Sequence, residues 1–180
     1  MSALLDKAKQ LVEARIPGTR KGSDEPAYIH SIRVSDLLAR FGFSENVIVA
    51  GMLHDIVEDS ETTLDDLREQ GFSERIVELV RLCTHDDLVE GGDARWIKMM
   101  AGLVDANDKD AWAIKIADLT DNLQSSDTLP PDRQRFMREA KGPFLLRLSW
   151  HEMGETPIWE ELKKTVVGLS LRGAAATKQS

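Results

Sequence analysis

The stretch Gly51–Ser60, G-M-L-H-D-I-V-E-D-S, places four ionisable side chains in an otherwise apolar helical run. His54 and Glu58 are four residues apart, as are Asp55 and Asp59, so an α-helix would bring each pair onto one face. Three carboxylates within two turns repel one another unless a cation or a strong hydrogen-bond donor lies among them. The stretch therefore predicts a metal site on a buried helix.

Apolar residues recur at spacings of three and four along most of the chain, and no stretch alternates with a period of two. This pattern predicts an all-α protein. The opening stretch belongs to the third predicted helix, which Ser44 can cap and which runs through Val57 with apolar residues on most sides. Gly142-Pro143 predicts a bend in a later helix, and the small and polar residues 173–180 predict a flexible tail.

The composition excludes several functions. The 180 residues, 42% of them hydrophobic, suffice for one core and one domain. A net charge of −8 argues against general binding to nucleic acid or to an anionic membrane, because such binding needs a basic face. The single cysteine, Cys83, excludes an internal disulfide and a cysteine-based zinc cage. With no signal-peptide pattern and no apolar run of about 20 residues, we expect a cytoplasmic protein.

Two histidines and two carboxylates on separate predicted helices form a candidate metal site. His30 lies on the second predicted helix, His54-Asp55 on the third and Asp118 on a later one. These four residues can converge in a helical bundle. Mixed nitrogen and oxygen ligation with open positions suits manganese, iron or zinc better than a closed structural site.

The other two histidines carry weaker signals. His85 repeats the His-Asp dipeptide, with Asp86, in a polar segment, and we expect it in a solvated loop, with a contact at the rim of the substrate site as the alternative. His151 lies between Trp150 and Glu152 in a late helix and is expected to be packed or half-exposed.

The pattern H…HD…D resembles that of the HD-domain metal-dependent phosphohydrolases. Four segments look like the hydrolase half of the Rel/SpoT alarmone enzymes: D-E-P-A-Y-I-H-S from Asp24, A-G-M-L-H-D-I-V-E-D-S from Ala50, I-K-M-M from Ile97 and I-K-I-A-D-L-T-D-N-L from Ile114. Those enzymes remove the 3′-pyrophosphate from guanosine tetra- and pentaphosphate. The resemblance implies a single HD bundle of about eight to ten helices over residues 1–172, with the motifs in 20–125 and C-terminal helices in 131–172.

The resemblance also implies roles for individual residues. It makes four side chains the ligands of a divalent metal, usually manganese in that family: His30, His54, Asp55 and Asp118. Glu58 and Asp59 would handle the attacking water, with Glu58 preferred as general base and Asp59 as its positioning partner. The residues expected to contact the substrate are Arg20, Lys21, Ser23, Lys98, Lys115 and Asn122.

The chain departs from the family pattern at one motif. Where that family commonly reads A-D-R-L-H-N-M-R, this chain reads A-D-L-T-D-N-L-Q, so Leu119, Asp121 and Gln124 replace two cations and a histidine.

The resemblance as a whole predicts a stand-alone small alarmone hydrolase acting on (p)ppGpp or on (p)ppApp, with the base left open. A general HD nucleotidase and a non-catalytic alarmone-binding regulator are the alternatives. Trp150 and Trp159 could complete the core or join two subunits into a homodimer.

Overall fold

The computed structural model describes residues 2–86 and 88–177, and these residues form helices joined by turns and loops. The α-helices are α1 (Ala3–Arg15), α2 (Tyr28–Arg40), α3 (Glu45–Leu53), α4 (Ile56–Asp59), α5 (Leu64–Glu69), α6 (Glu74–Cys83), α7 (Gly92–Ala106), α8 (Lys109–Gln124), α9 (Pro131–Phe136), α10 (Gly142–Met153) and α11 (Pro157–Thr177). A 3₁₀ turn spans Ser126–Thr128, and a π-helical turn, Met137–Lys141, joins α9 to α10. The prediction of an all-α fold is confirmed.

Local sequence signals place several of these helix ends. Thr63 and Asp66 form a reciprocal capping box at the start of α5. The Asp108 carboxylate accepts from two main-chain N–H groups in the first turn of α8. The π-helical turn directly precedes Gly142-Pro143, where the sequence predicts a bend, and Pro143 has no N–H to continue the α-helical ladder. Helix α11 continues to Thr177, into the predicted tail, and residues 178–180 lie outside the described residues.

The helix α8 forms the centre of the bundle. Every residue from Ala111 to Asp121 is buried, and the largest of these side chains is that of Trp112. Five of the described helices pack against α8, namely α2, α3, α6, α10 and α11. Full burial of a large apolar side chain stabilises the fold by about 1.5–3 kcal/mol, so a helix buried on all sides contributes much of the core energy. The same burial brings the polar side chains of α8 into the interior.

The C-terminal helices complete the core. Trp159 is buried on α11 and its indole nitrogen donates to the carbonyl of Leu146, whereas Trp150 is about half exposed on α10. Within the described part of the chain, no helix is both long enough and apolar enough to cross a membrane.

A glycine sets the approach of α2 to α3. A Cβ atom added at Gly51 would lie 2.3 Å from Leu38 Cδ1, and Leu38 is fully buried between the helices. The glycine therefore lets the helix that ends at the candidate metal site pack directly on α2.

We expect Gly51→Ala to lower the free energy of unfolding by about 1–3 kcal/mol, because the added methyl group overpacks the interface of α2 with α3. Gly102→Ala is the matched control: nothing lies within 4 Å of its added Cβ, and it should stabilise α7 by about 0.5–1 kcal/mol. Urea denaturation measures both variants. Equal effects from the two substitutions would contradict the close packing at Gly51.

Candidate metal centre and active site

The central helix of the sequence prediction is interrupted in the structure. Helix α3 ends at Leu53 and α4 begins at Ile56, so His54 and Asp55 lie in the turn between them. The prediction of one continuous helix is wrong here, although Asp55 and Asp59, which it placed on one face, do line the same cavity. Adjacent side chains on a helix diverge by about 100°. The turn instead lets the Asp55 carboxylate fold back to His54, with 3.1 Å between Oδ1 and Nε2.

The two buried imidazoles, those of His30 and His54, both direct their Nε2 atoms towards the same place. His54 Nδ1 donates to the main-chain carbonyl of Gly51 at 2.8 Å, and His30 Nδ1 donates to Asp121 Oδ2 at 2.7 Å. A carbonyl only accepts, so the proton of His54 lies on Nδ1 and the Nε2 lone pair remains for another partner. His54 Nε2 is buried and forms no well-aligned hydrogen bond with any described residue. The two rings are therefore oriented for coordination through Nε2.

The carboxylates of Asp55 and Asp118 complete the group. Asp118 Oδ1 lies 3.1 Å from His30 Nε2 and 3.8 Å from His54 Nε2, and Asp55 Oδ2 lies 3.6 Å from His30 Nε2. Ligand atoms of His30, His54 and Asp55 all lie within 4.8 Å of one another. The structure thus brings together the four residues that the sequence nominates. Two imidazole nitrogens with carboxylate oxygens are a donor set that suits a divalent transition metal.

The electrostatics of the cluster favour a cation. Burial opposes charge on His54, but the negative Asp55 and Asp118 outweigh it and raise the pKa of His54 to about 10. The same ion pairs lower the pKa of Asp55 to about 2, although burial alone would raise it. Lys115 Nζ is 2.6 Å from Asp118 Oδ2 and helps to hold the pKa of the buried Asp118 well below its usual range, against the effect of burial. The acids therefore favour a second proton on His54, at Nε2, and it is this proton that a bound cation would displace.

Glu58 and Asp59 point in different directions. Glu58 Oε1 accepts from the main-chain N–H of His85 at 2.7 Å, and Oε2 lies 2.6 Å from His85 Nδ1. Asp59 lines a cavity beside Asp55 and His30. Loss of hydration and the negative charges of Asp55 and Glu58 raise the pKa of Asp59. Of the two carboxylates, only Asp59 lines this cavity.

The predictions for the other two histidines need correction. His85 is not a solvated loop residue, because Glu58 holds its ring against the site and the ring lines a cavity there. The structure favours the alternative, a position at the rim of the site, which the repeated His-Asp dipeptide had suggested. The side chain of His151 is 95% exposed on α10, so it is neither packed nor half-exposed.

Two cavities meet at the cluster. The first has a volume of about 380 Å³ and the second about 270 Å³. Both are lined by Arg20, His30, Asp55 and Asn122. Polar groups dominate the rest of the first cavity, namely Thr19, Lys21, Asp59, Ser125 and Thr128. The second cavity combines apolar walls with cations, among them Trp96, Met137, Lys115 and Lys141.

The predicted substrate residues fall into two groups. Arg20 donates through Nη2 to Asn122 Oδ1 at 2.8 Å, and the amide nitrogen of Asn122 donates to Asp118 Oδ1 at 2.5 Å, so these residues link the loop after α1 to the cluster. Lys21 lines the first cavity and Lys115 the second.

Ser23 and Lys98 line neither cavity. The Ser23 hydroxyl accepts from the main-chain N–H of Glu25, and Lys98 pairs with Asp86 at 2.5 Å on the surface. The structure does not bring these two predicted substrate residues to the cluster.

Two further residues at the site were not predicted. Lys141, at the end of the π-helical turn, lines the second cavity with its ammonium group 5.0 Å from the centre of the Trp96 ring, and burial lowers its pKa. Its position after Pro131 gave no signal, because that segment carries no part of the resemblance. Asp121 is the acceptor for His30, whereas the sequence suggested only a lost cation or histidine in this motif.

Comparison with known proteins identifies the fold family. The sequence profile of the HD domain matches residues 8–144. The chain belongs to the HD-domain family. A Streptomyces coelicolor protein named GTP pyrophosphokinase is 33% identical over 132 residues, and the Escherichia coli protein named bifunctional (p)ppGpp synthase/hydrolase SpoT is 30% identical over 164 residues. The matches cover 72% and 82% of this chain but only 16% and 23% of those two relatives.

Solved structures share the HD-domain architecture. A metazoan SpoT orthologue superposes with a TM-score of 0.73 at 22% identity, over 92% of this chain and 94% of that one. A protein from Listeria monocytogenes superposes with a TM-score of 0.62 at 27% identity, over 76% of this chain and 90% of that one. The helical bundle that surrounds the candidate metal centre is thus the fold of the HD domain.

We expect Mn²⁺ at a hundredfold excess over its dissociation constant to raise the free energy of unfolding by about 2.7 kcal/mol, because the folded HD domain alone presents the assembled ligands. His54→Ala should abolish this stabilisation. His151→Ala, which removes an exposed imidazole, should leave it unchanged. Thermal unfolding with and without the ion measures the effect, and an equal response from the two variants would argue against the site.

Proposed function

We propose that this protein is a metal-dependent hydrolase that removes the 3′-pyrophosphate from alarmone nucleotides, (p)ppGpp or (p)ppApp, giving the 5′-nucleotide and pyrophosphate. The observation that carries the proposal is the meeting of two cavities at His30 and Asp55, one with mostly polar walls and one that combines apolar walls with cations. Two relatives support it by their descriptions: the Escherichia coli protein is named a (p)ppGpp synthase/hydrolase, and the metazoan SpoT orthologue is described as hydrolysing ppGpp.

The proposed ion is manganese, held by His30, His54, Asp55 and Asp118. A divalent ion at this place supplies Lewis acidity, which polarises a phosphoryl oxygen and lowers the pKa of a water molecule. The chain itself fixes the ligand geometry: the Gly51 carbonyl and Asp121 orient the two rings, and Lys115 neutralises part of the negative charge on Asp118.

The contacts suggest how Glu58 and Asp59 divide their work. We infer that Asp59, which faces the first cavity beside Asp55, accepts the proton of the attacking water. Both oxygens of Glu58 are already engaged by His85, so Glu58 holds that ring at the edge of the second cavity. The sequence-based preference for Glu58 as the base stays a prediction, and the contacts favour the opposite assignment. A positioned general base contributes about 100- to 10,000-fold in rate.

The two cavities differ in the groups that they can bind. The first offers hydroxyl and amide groups near Arg20 and suits a nucleoside. The second offers Lys115 and Lys141 and suits phosphate groups. Because the whole chain carries a net charge of −8, a polyphosphate needs such a local concentration of cations. Attack at the phosphorus next to the ribose 3′-oxygen would then occur at the junction of the cavities.

One observation favours a second candidate function. Leu119 lines the second cavity at a position where the related pattern carries a cation. Lower positive charge there suits a substrate with fewer phosphates, such as a 5′-monophosphate cleaved by a general HD nucleotidase. The non-catalytic regulator is the third outcome to be tested. A homodimer and a cytoplasmic location remain predictions.

We expect the purified protein with Mn²⁺ to release pyrophosphate from at least one of ppGpp, pppGpp and ppApp, and to leave GMP and AMP unchanged. Malachite-green detection after pyrophosphatase treatment, together with chromatography of the nucleotide product, separates the candidates. Orthophosphate released from the monophosphates would establish the nucleotidase. Alarmone binding without turnover, in protein shown to contain metal, would establish the regulator.

We expect Asp59→Asn to lower kcat by about 100- to 10,000-fold, because the amide cannot accept the proton of water. Glu58→Gln should lower kcat less, since it loosens His85 without removing the base. Metal content measured on both variants controls for damage to the centre. The larger loss in Glu58→Gln would reverse the assignment.

A further inference from the structure

We propose that Asp121, held in place by Arg33, is a positioning residue that fixes His30 as a metal ligand through Nε2. This inference rests on the proposed metal centre and adds to it a role that the resemblance does not supply. Asp121 belongs to the motif in which the chain departs from the related pattern, in place of a histidine.

Both oxygens of Asp121 are engaged in the protein interior. The residue is 5% exposed and lies on α8, three positions after Asp118. Its Oδ2 is 2.7 Å from His30 Nδ1. Arg33 donates from Nε to Oδ1 at 2.6 Å and from Nη2 to Oδ2 at 3.2 Å. Because Arg33 donates two hydrogen bonds to this carboxylate, the carboxylate is ionised and can only accept a hydrogen bond from the imidazole of His30.

A second acid holds the arginine from the other side. Arg33 Nη1 donates to Glu25 Oε1 at 2.6 Å, and Glu25 lies in the loop before α2. Glu25, Arg33, Asp121 and His30 thus form one chain of contacts that starts in this loop and connects α2 to α8. A planar guanidinium with three fixed acceptors has little freedom, so the carboxylate is held in one orientation.

The chain of contacts determines which nitrogen of His30 is free. Asp121 keeps the proton on Nδ1, so the lone pair of Nε2 points towards Asp118 and Asp55, 3.1 and 3.6 Å away. A carboxylate behind a ligating histidine fixes the tautomer and the ring angle and raises the basicity of the ligand. Loss of such a partner typically weakens metal affinity by about 10- to 100-fold.

The second imidazole provides an internal comparison. His54 Nδ1 donates to a main-chain carbonyl, that of Gly51, which no side-chain substitution removes. A change at Asp121 should therefore disturb His30 and leave the orientation of His54 intact. General damage to the fold would disturb both rings.

Titration calorimetry with Mn²⁺ tests the proposal without any substrate. We expect Asp121→Asn to bind the ion about 10- to 100-fold more weakly than the unmodified protein. Asp36→Asn is the matched control, because Asp36 is an exposed carboxylate on α2 and its loss changes the net charge equally. The control should bind within about twofold of the unmodified protein, as expected for a surface charge that is screened by salt.

A second readout follows the ring directly. In the zinc-loaded protein labelled with ¹⁵N-histidine, the Nδ1–H of His30 and that of His54 should both give exchange-protected signals. Asp121→Asn should remove the protection at His30 alone. If Asp121→Asn fails to fold, Arg33→Met tests the same role. It keeps the Asp121 carboxylate as the acceptor for His30 but removes the guanidinium that fixes its orientation, so it should weaken Mn²⁺ binding by a smaller factor.

The outcomes separate this inference from the proposed function. An unmodified protein that binds no divalent ion would overturn the metal centre and this inference with it. The positioning role alone would be overturned if the unmodified protein binds Mn²⁺ and the Mn²⁺ affinity of Asp121→Asn or Arg33→Met is within twofold of it, with the His30 signal unchanged. Weakened binding in protein that hydrolyses no alarmone would leave the positioning role standing and reject the proposed reaction.

Discussion

The interaction on which the structure depends is the pairing of buried carboxylates with nitrogen donors between α2, the turn after α3, and α8. Removing a carboxylate from water costs several kcal/mol unless a partner compensates. Asp118 has Lys115 and an imidazole, and Asp121 has an arginine and an imidazole. Lys115 lies on α8 with Asp118, whereas His30 and Arg33 come from α2, so the latter two join α2 to α8. Loss of one partner would leave a buried charge uncompensated, so packing of α2 on α8 and the geometry of the site depend on the same pairs.

The position of α8 explains why the chemistry is carried by the core. Lys115, Asp118 and Asp121 recur at spacings of three and so lie along one side of a helix whose other sides are apolar. Because the helix is buried all round, those apolar sides need cover beyond α2 and α3. Helices α10 and α11 provide it, and the π-helical turn before α10 brings Lys141 to the second cavity. The segment after Pro131 therefore covers the core and also lines the site.

What the sequence could predict follows from the range of the interactions. Helical periodicity is local, so the all-α fold was predictable, and the residue types of His30, His54, Asp55 and Asp118 were specific enough to nominate them as ligands. The turn at His54-Asp55 was not predictable, because the apolar run favours a continuous helix. Only contacts with residues distant in the sequence, His30 and Asp118, oppose it. The contact of Glu58 with His85 is of the same kind, since it joins residues 27 positions apart in the chain.

The departures from the related motif do not have equal weight once they are placed in the structure. Gln124 is exposed and lines neither cavity at the cluster. Leu119 removes a positive charge from the wall of the second cavity, but Lys141 contributes one to the same wall from another element. Asp121 adds a negative charge, which Arg33 neutralises, and its carboxylate accepts a hydrogen bond from Nδ1 of His30. Positive charge at the wall of the second cavity therefore comes from Lys115 and Lys141, next to the candidate metal ligands.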